Sequence, residues 1–144
     1  MAKTIEEVMT RDVEVIHPND TVREAAEKMA QLNVGPIPVC DGQTILGMIT
    51  DRDIVVRVIA QGMDPNVTRV ADAMTANVQY CFMDDDIDTA LELMSTRQIR
   101  RLLVLDRNKK LVGIVALGDI SQEASEHETG EALESISEPS VPMH

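Results

Sequence analysis

Thr50 and Asp53 stand three residues apart behind Gly47, in the stretch LGMITDRDI. A hydroxyl and a carboxylate at that spacing, where an extended run gives way to a helix, can face one point beyond the strand end. A carboxylate accepts two hydrogen bonds at once. That suits the paired donors of a vicinal diol, such as the 2′- and 3′-hydroxyls of a ribose. The threonine hydroxyl and the N–H groups of the helix start suit a phosphate. Arg52, Arg57, Arg100 and Arg101 supply forked guanidinium groups that can pair with phosphate oxygens. Plainer uses exist for the same residues. Asp51 and Asp53 both fall in a first helical turn, where acids complement the helix dipole, and each arginine can pair with a nearby surface acid.

The constellation is written twice. In LVGIVALGDI, Gly113, Asp119 and Ile120 repeat Gly47, Asp53 and Ile54. Upstream, VMTRDV (8–13) matches AMTANV (73–78), and Asp20, Val22, Ala25, Met29, Val39 and Asp41 match Asp85, Ile87, Ala90, Met94, Val104 and Asp106. The offset is 65 residues before the Asp41 and Asp106 turns and 66 after them, so the second loop is one residue longer. Such self-similarity marks one supersecondary unit used twice. The second copy keeps the carboxylate, Asp119, but has Ala116 in place of the Thr50 hydroxyl and a loosening Gly118. Two unequal sites are expected, the first the better specified.

Each copy reads as β-α-β-β-α. An extended piece (13–16; 78–82) precedes a helix that opens after an acidic cap, with apolar residues at three- and four-residue spacing. A strand (37–40; 102–105), a turn and a second strand (45–50; 111–116) make a hairpin. A second helix starts near Asp51 or Leu117, the first of these stopping at Gly62. One such unit cannot bury both faces of its sheet, whereas two packed together can. The chain is therefore expected to be an α/β fold of two pseudo-symmetric repeats packed into one domain. Repeat one spans 5–62, a linker 63–67, repeat two 68–121, and an acidic tail 122–144 is a helical extension or a solvated end.

Composition narrows the function. The net charge of −12, half of it from six glutamates beyond residue 121, opposes nucleic-acid and anionic-membrane partners. Tyr80 and Phe82 are the only aromatics, so a planar ligand must lie on aliphatic side chains. Cys40 and Cys81 sit in apolar runs as buried thiols, and His17, His127 and His144 complete no zinc set, so no metal is expected. No signal peptide or long apolar run is present, which points to the cytoplasm. The acidic run DDDID (84–88) fits a helix start. No catalytic motif stands out, and no enzyme is expected. Apolar residues such as Ile54, Val55, Val58 and Ile59 exceed what one small sheet covers, which favours a homodimer.

The motifs VMTRDV, VGPIPVCD and GMITDRDI, with their partners AMTANV, IRRLLVLD and GIVALGDI, resemble tandem CBS domains, the Bateman module. The resemblance covers about residues 5–121 and is similar to the small stand-alone bacterial type. It implies a sensor that takes an adenosine compound (AMP, ADP, ATP, NAD or S-adenosylmethionine) between its repeats as a regulatory ligand. It also implies a dimer that signals in trans to a protein partner. By resemblance, Thr50 and Asp53 would hold phosphate and ribose. Val13, Ile16, Val34, Gly35 and Ile37 would line the adenine, and Arg52, Arg101 and Asp119 would complete the ligand set. Leu103 stands where Pro38 stands in PIPV, a departure that sets repeat two apart.

Overall fold

The two apolar run pairs form antiparallel hairpins in the computed structural model, which describes residues 3–121. In repeat one, β1 (Pro36–Asp41) pairs with β2 (Thr44–Thr50). In repeat two, β4 (Arg101–Leu105) pairs with β5 (Leu111–Ala116). The registers match: Pro36 lies opposite Thr50 as Arg101 lies opposite Ala116, and each hairpin slips at the same place, after Val39 and after Val104. β1 and β4 are buried on both faces, whereas β5 alternates, showing which strands lie in the core. Gly42, at φ +63°, makes the first turn; the longer second turn uses Lys109, at φ +61°.

Two eleven-residue helices, α2 (Val22–Leu32) and α5 (Ile87–Arg97), present the expected apolar stripes: Val22, Ala25 and Met29 in one, Ile87, Ala90, Leu91 and Met94 in the other. Repeat two has the expected acidic cap, Asp86 in the DDDID run, whereas repeat one is capped by the threonine after Asp20. Thr21 accepts from the Glu24 N–H and Asp86 from the Thr89 N–H. Asp20 and Asp85 instead accept from His17 N–H at 3.1 Å and Phe82 N–H at 2.9 Å, closing the loop ahead of each helix.

The third strands differ between repeats. β3 (Tyr80–Phe82) runs parallel to β4, but in repeat one the matching segment makes only an isolated bridge, Ile16 to Val39. The cause is Pro38. Leu103 N–H extends the repeat-two ladder to the Gln79 carbonyl at 3.3 Å. Pro38, at the matching place, has no N–H to give Glu14, so the ladder stops. The expected strand over 13–16 is thus not formed.

Short helices α1 (Ile5–Val8) and α4 (Val70–Ala73) introduce a feature hidden from the repeat boundaries. The chain forms two compact units, Glu14–Val78 and the segment ending at Val13 joined with that from Gln79 onward. Ile5, a repeat-one residue, lies in a core with Cys81, Ile87, Leu102 and Val115. Val70 and Ala73 lie in a core with Val22, Ile37, Val39 and Ile49. Each hairpin receives the Met-Thr motif that belongs, by sequence, to the other copy. Thr10 exchanges both backbone bonds with Ile114, at 2.8 and 2.9 Å, and Thr75 does so with Met48, at 2.8 and 2.9 Å. That contact explains the repeated glycines. A Cβ on Gly47 would lie 2.6 Å from the Thr75 carbonyl oxygen, and one on Gly113 would lie 2.8 Å from that of Thr10.

After β2 the chain turns through α3 (Asp51–Asp53) into a π-helical segment, Ile54–Ile59, ending before Gly62 at φ +71°. α6 (Leu117–Ser121) follows β5. The acidic tail, 122–144, lies outside the described residues. Among the described residues no helix is long and apolar enough to cross a membrane.

Candidate functional site

The strand-to-helix corner at Thr50 is held by a reciprocal pair of bonds. Thr50 Oγ1 accepts from the Asp53 N–H at 3.0 Å, and Asp53 Oδ2 accepts from the Thr50 N–H at 3.0 Å. This is a capping box, in which two otherwise unpaired helix-start donors are satisfied. The two side chains therefore brace each other's backbone as well as facing the strand end. Asp53 has a second oxygen. Its Oδ1 lies 3.4 Å from the Thr75 hydroxyl and 3.8 Å from Arg57 Nε, and the side chain is 13 % exposed. Arg57 Nη1 in turn donates to the Met74 carbonyl at 3.1 Å.

Neighbouring residues complete the corner. The Asp51 N–H bonds the Gly35 carbonyl at 3.1 Å, and a Cβ on Gly35 would lie 3.1 Å from Asp51 Oδ1. Glycine keeps the end of α2 close to the start of α3. Ile37 and Ile16 are core residues, 1 % and 4 % exposed. The Ile16 backbone is committed at both ends, its N–H to Pro38 and its carbonyl to the Cys40 N–H. Val34, by contrast, is exposed. Arg52 is exposed as well.

Repeat two builds the same corner with fewer parts. Asp119 Oδ2 accepts from the Ala116 N–H at 3.1 Å, and Leu117 N–H bonds the Arg100 carbonyl at 2.8 Å. These match Asp53 with Thr50 and Asp51 with Gly35. Asp119 is exposed, and Arg101 is exposed at the start of β4, opposite Ala116.

The family model described as CBS domain matches residues 5–60 and again 70–126. The chain belongs to the CBS-domain family. YlbB of Bacillus subtilis is 45% identical over 137 residues, covering 93% of this chain and 91% of that one. Among solved structures, Hypoxic Response Protein I with two coordinated zinc ions superposes at TM-score 0.75 and 32% identity, covering 85% of this chain and 99% of that one. CBSX2 in complex with AMP gives 0.70 and 26%, covering 83% and 93%. A CBS domain pair in complex with 5′-methylthioadenosine and S-adenosyl-L-methionine gives 0.68 and 28%, covering 85% and 95%.

Within this CBS pair, the unit Glu14–Val78 gathers Thr50, Asp53, Arg52, Gly35, Val34, Ile37 and Ile16, while Val13, Arg101 and Asp119 belong to the other unit. Sequence reasoning missed Thr75 as a site residue. The signal was present, because Thr75 repeats Thr10 in the AMT and VMT motifs, but its position beside Asp53 follows only from the exchanged packing. Among the described residues no group of three or more His, Cys, Asp or Glu side chains could hold a metal ion. Both thiols are free and buried. Burial pushes the Cys40 thiol up to about 11, and burial with the Asp85 charge pushes Cys81 up to about 12. At neutral pH both are therefore weak nucleophiles and weak metal ligands.

Proposed function

We propose that the chain is a non-catalytic regulatory module whose CBS repeats bind an adenosine-containing nucleotide, AMP or ATP foremost, and signal in trans as a homodimer in the cytoplasm. The observation that carries this reading is the repeated corner, which sets an aspartate at the same strand-to-helix junction in both repeats. An aspartate there can accept from a ribose diol, with Thr50 and Arg52 available for phosphate and Val34 for the base in the Glu14–Val78 unit, and Arg101 for phosphate in the other. Similarity to CBS pairs solved with AMP and with S-adenosyl-L-methionine supports the ligand class. Exposed Val55, Val56, Ile59 and Met63 support the homodimer.

A ligand-free interaction dimer is the second reading. It is favoured by one fact: Asp53 already satisfies the fold as a cap. A thermal-shift panel separates the two. Ligand at about 100 times its dissociation constant adds roughly 2.7 kcal/mol, so AMP, ADP, ATP, NAD or S-adenosylmethionine at millimolar concentration should raise Tm. A flat panel from a protein that is dimeric by light scattering selects the second reading. A monomer at tens of micromolar removes the homodimer from both.

A further inference from the structure

We infer that Thr75 and Arg57 form a latch on the Asp53 carboxylate that an adenosine ligand must open. Occupancy of repeat one is thereby reported to the Met74–Thr75 segment. The inference rests on the reading of Asp53 as a ribose acceptor. Asp53 Oδ2 is committed to the Thr50 N–H. Oδ1 is shared by the Thr75 hydroxyl, at 3.4 Å, and Arg57 Nε, at 3.8 Å. A diol brings two donors to this carboxylate and must compete for Oδ1. Both competitors belong to one mechanical unit. Arg57 Nη1 holds the Met74 carbonyl at 3.1 Å, and Thr75 carries the bridge to Met48 that seats the exchanged segment. The chain leaves this unit three residues later, after Val78.

Repeat two shows that the latch is not required by the fold. Thr10, which matches Thr75, makes the same backbone bridge to Ile114, but the only bond to the Asp119 carboxylate among the described residues comes from the Ala116 N–H. At the place of Arg57 the second copy has Glu123 in sequence. Among the described residues the same exchanged contact thus stands with no hydroxyl or guanidinium on the carboxylate. Their presence in repeat one is an addition, and its consequence is competition with ligand.

The sign of the competition makes it testable, since a merely structural contact would lower affinity when removed. Calorimetry with AMP compares the parent with Thr75→Val, Thr75→Ser and Asp53→Ala. Thr75→Val should bind AMP about threefold to tenfold tighter at the Asp53-dependent site, the range one net hydrogen bond commands. Thr75→Ser, which keeps the hydroxyl, should match the parent. Amide exchange should show AMP speeding exchange at Met48 and Thr75 in the parent but not in Thr75→Val. If Thr75→Val distorts the segment, Thr75→Ala tests the same sign. Unchanged or weaker AMP binding in these variants, with binding still lost in Asp53→Ala, overturns the latch and leaves the ribose reading standing. A parent that binds none of AMP, ADP, ATP, NAD and S-adenosylmethionine, or binding indifferent to Asp53→Ala, overturns both.

Discussion

Asp53 serves two ends with two oxygens: one closes a helix start, the other faces Thr75 and Arg57. A carboxylate three residues after a threonine can be read as cap or as ligand clamp, and the geometry shows that capping uses only half of it. The thiols are simpler. Folding holds Cys40 and Cys81 protonated beyond their ordinary value of 9.0, up to about 11 and about 12. Between those limits the native state binds more protons than the unfolded state, so stability falls as pH rises. Their contribution is fully present below about pH 9.0 and is lost on passing through about 11 to 12. Chemical denaturation from pH 8 upward should show this decline, and Cys81→Ala should flatten it. An identical slope in that variant would assign the loss to other groups.

Strands here are set by single residues acting through the backbone. Leu103 supplies an N–H that Pro38 cannot, so repeat two completes a three-stranded sheet while repeat one keeps two strands and a bridge. That contrast was visible as a sequence departure, but its meaning depended on knowing which chain lies beside residue 38. Glycines act through close approach. Gly47 faces the Thr75 carbonyl, so Gly47→Ala must push backbone aside and should cost about 1–3 kcal/mol, the usual range for overpacking. Gly118, where nothing lies within 4 Å of an added Cβ, is the control. In urea denaturation Gly118→Ala should be neutral or slightly stabilising, as helix propensity predicts. Equal losses at both positions would contradict the close-approach account.

At the scale of the molecule, the unit of sequence and the unit of packing are not the same. Repeat one runs on from residue 5, yet Ile5 is fully buried among repeat-two residues. Ile5→Ala should therefore cost about 2–5 kcal/mol, and it should act at a distance in sequence. Amide exchange should show protection falling over residues 79–121 and holding over 14–78. Loss confined to residues near Ile5, or spread over 14–78, would refute the exchanged packing.

Periodicity and self-alignment were enough to determine the hairpins, the helix faces, the aspartate that closes each corner and, in repeat two, the β-α-β-β-α order. Those features are local: strand and helix periods, turns and caps are fixed by residues a few positions apart. The sequence also carried the repeat itself, because equal cores need equal patterns. Only the tertiary structure decided which copy of the Met-Thr motif docks on which hairpin, since two matching motifs and two matching glycines fit either way in one dimension. It decided the fate of the 13–16 strand, because a missing N–H matters only opposite a particular carbonyl. It also brought Thr75 to Asp53 across twenty-two residues, whereas Arg57, four residues on, meets Asp53 along one helical stretch. A contact across that longer separation is fixed by exchanged packing, which no local pattern encodes.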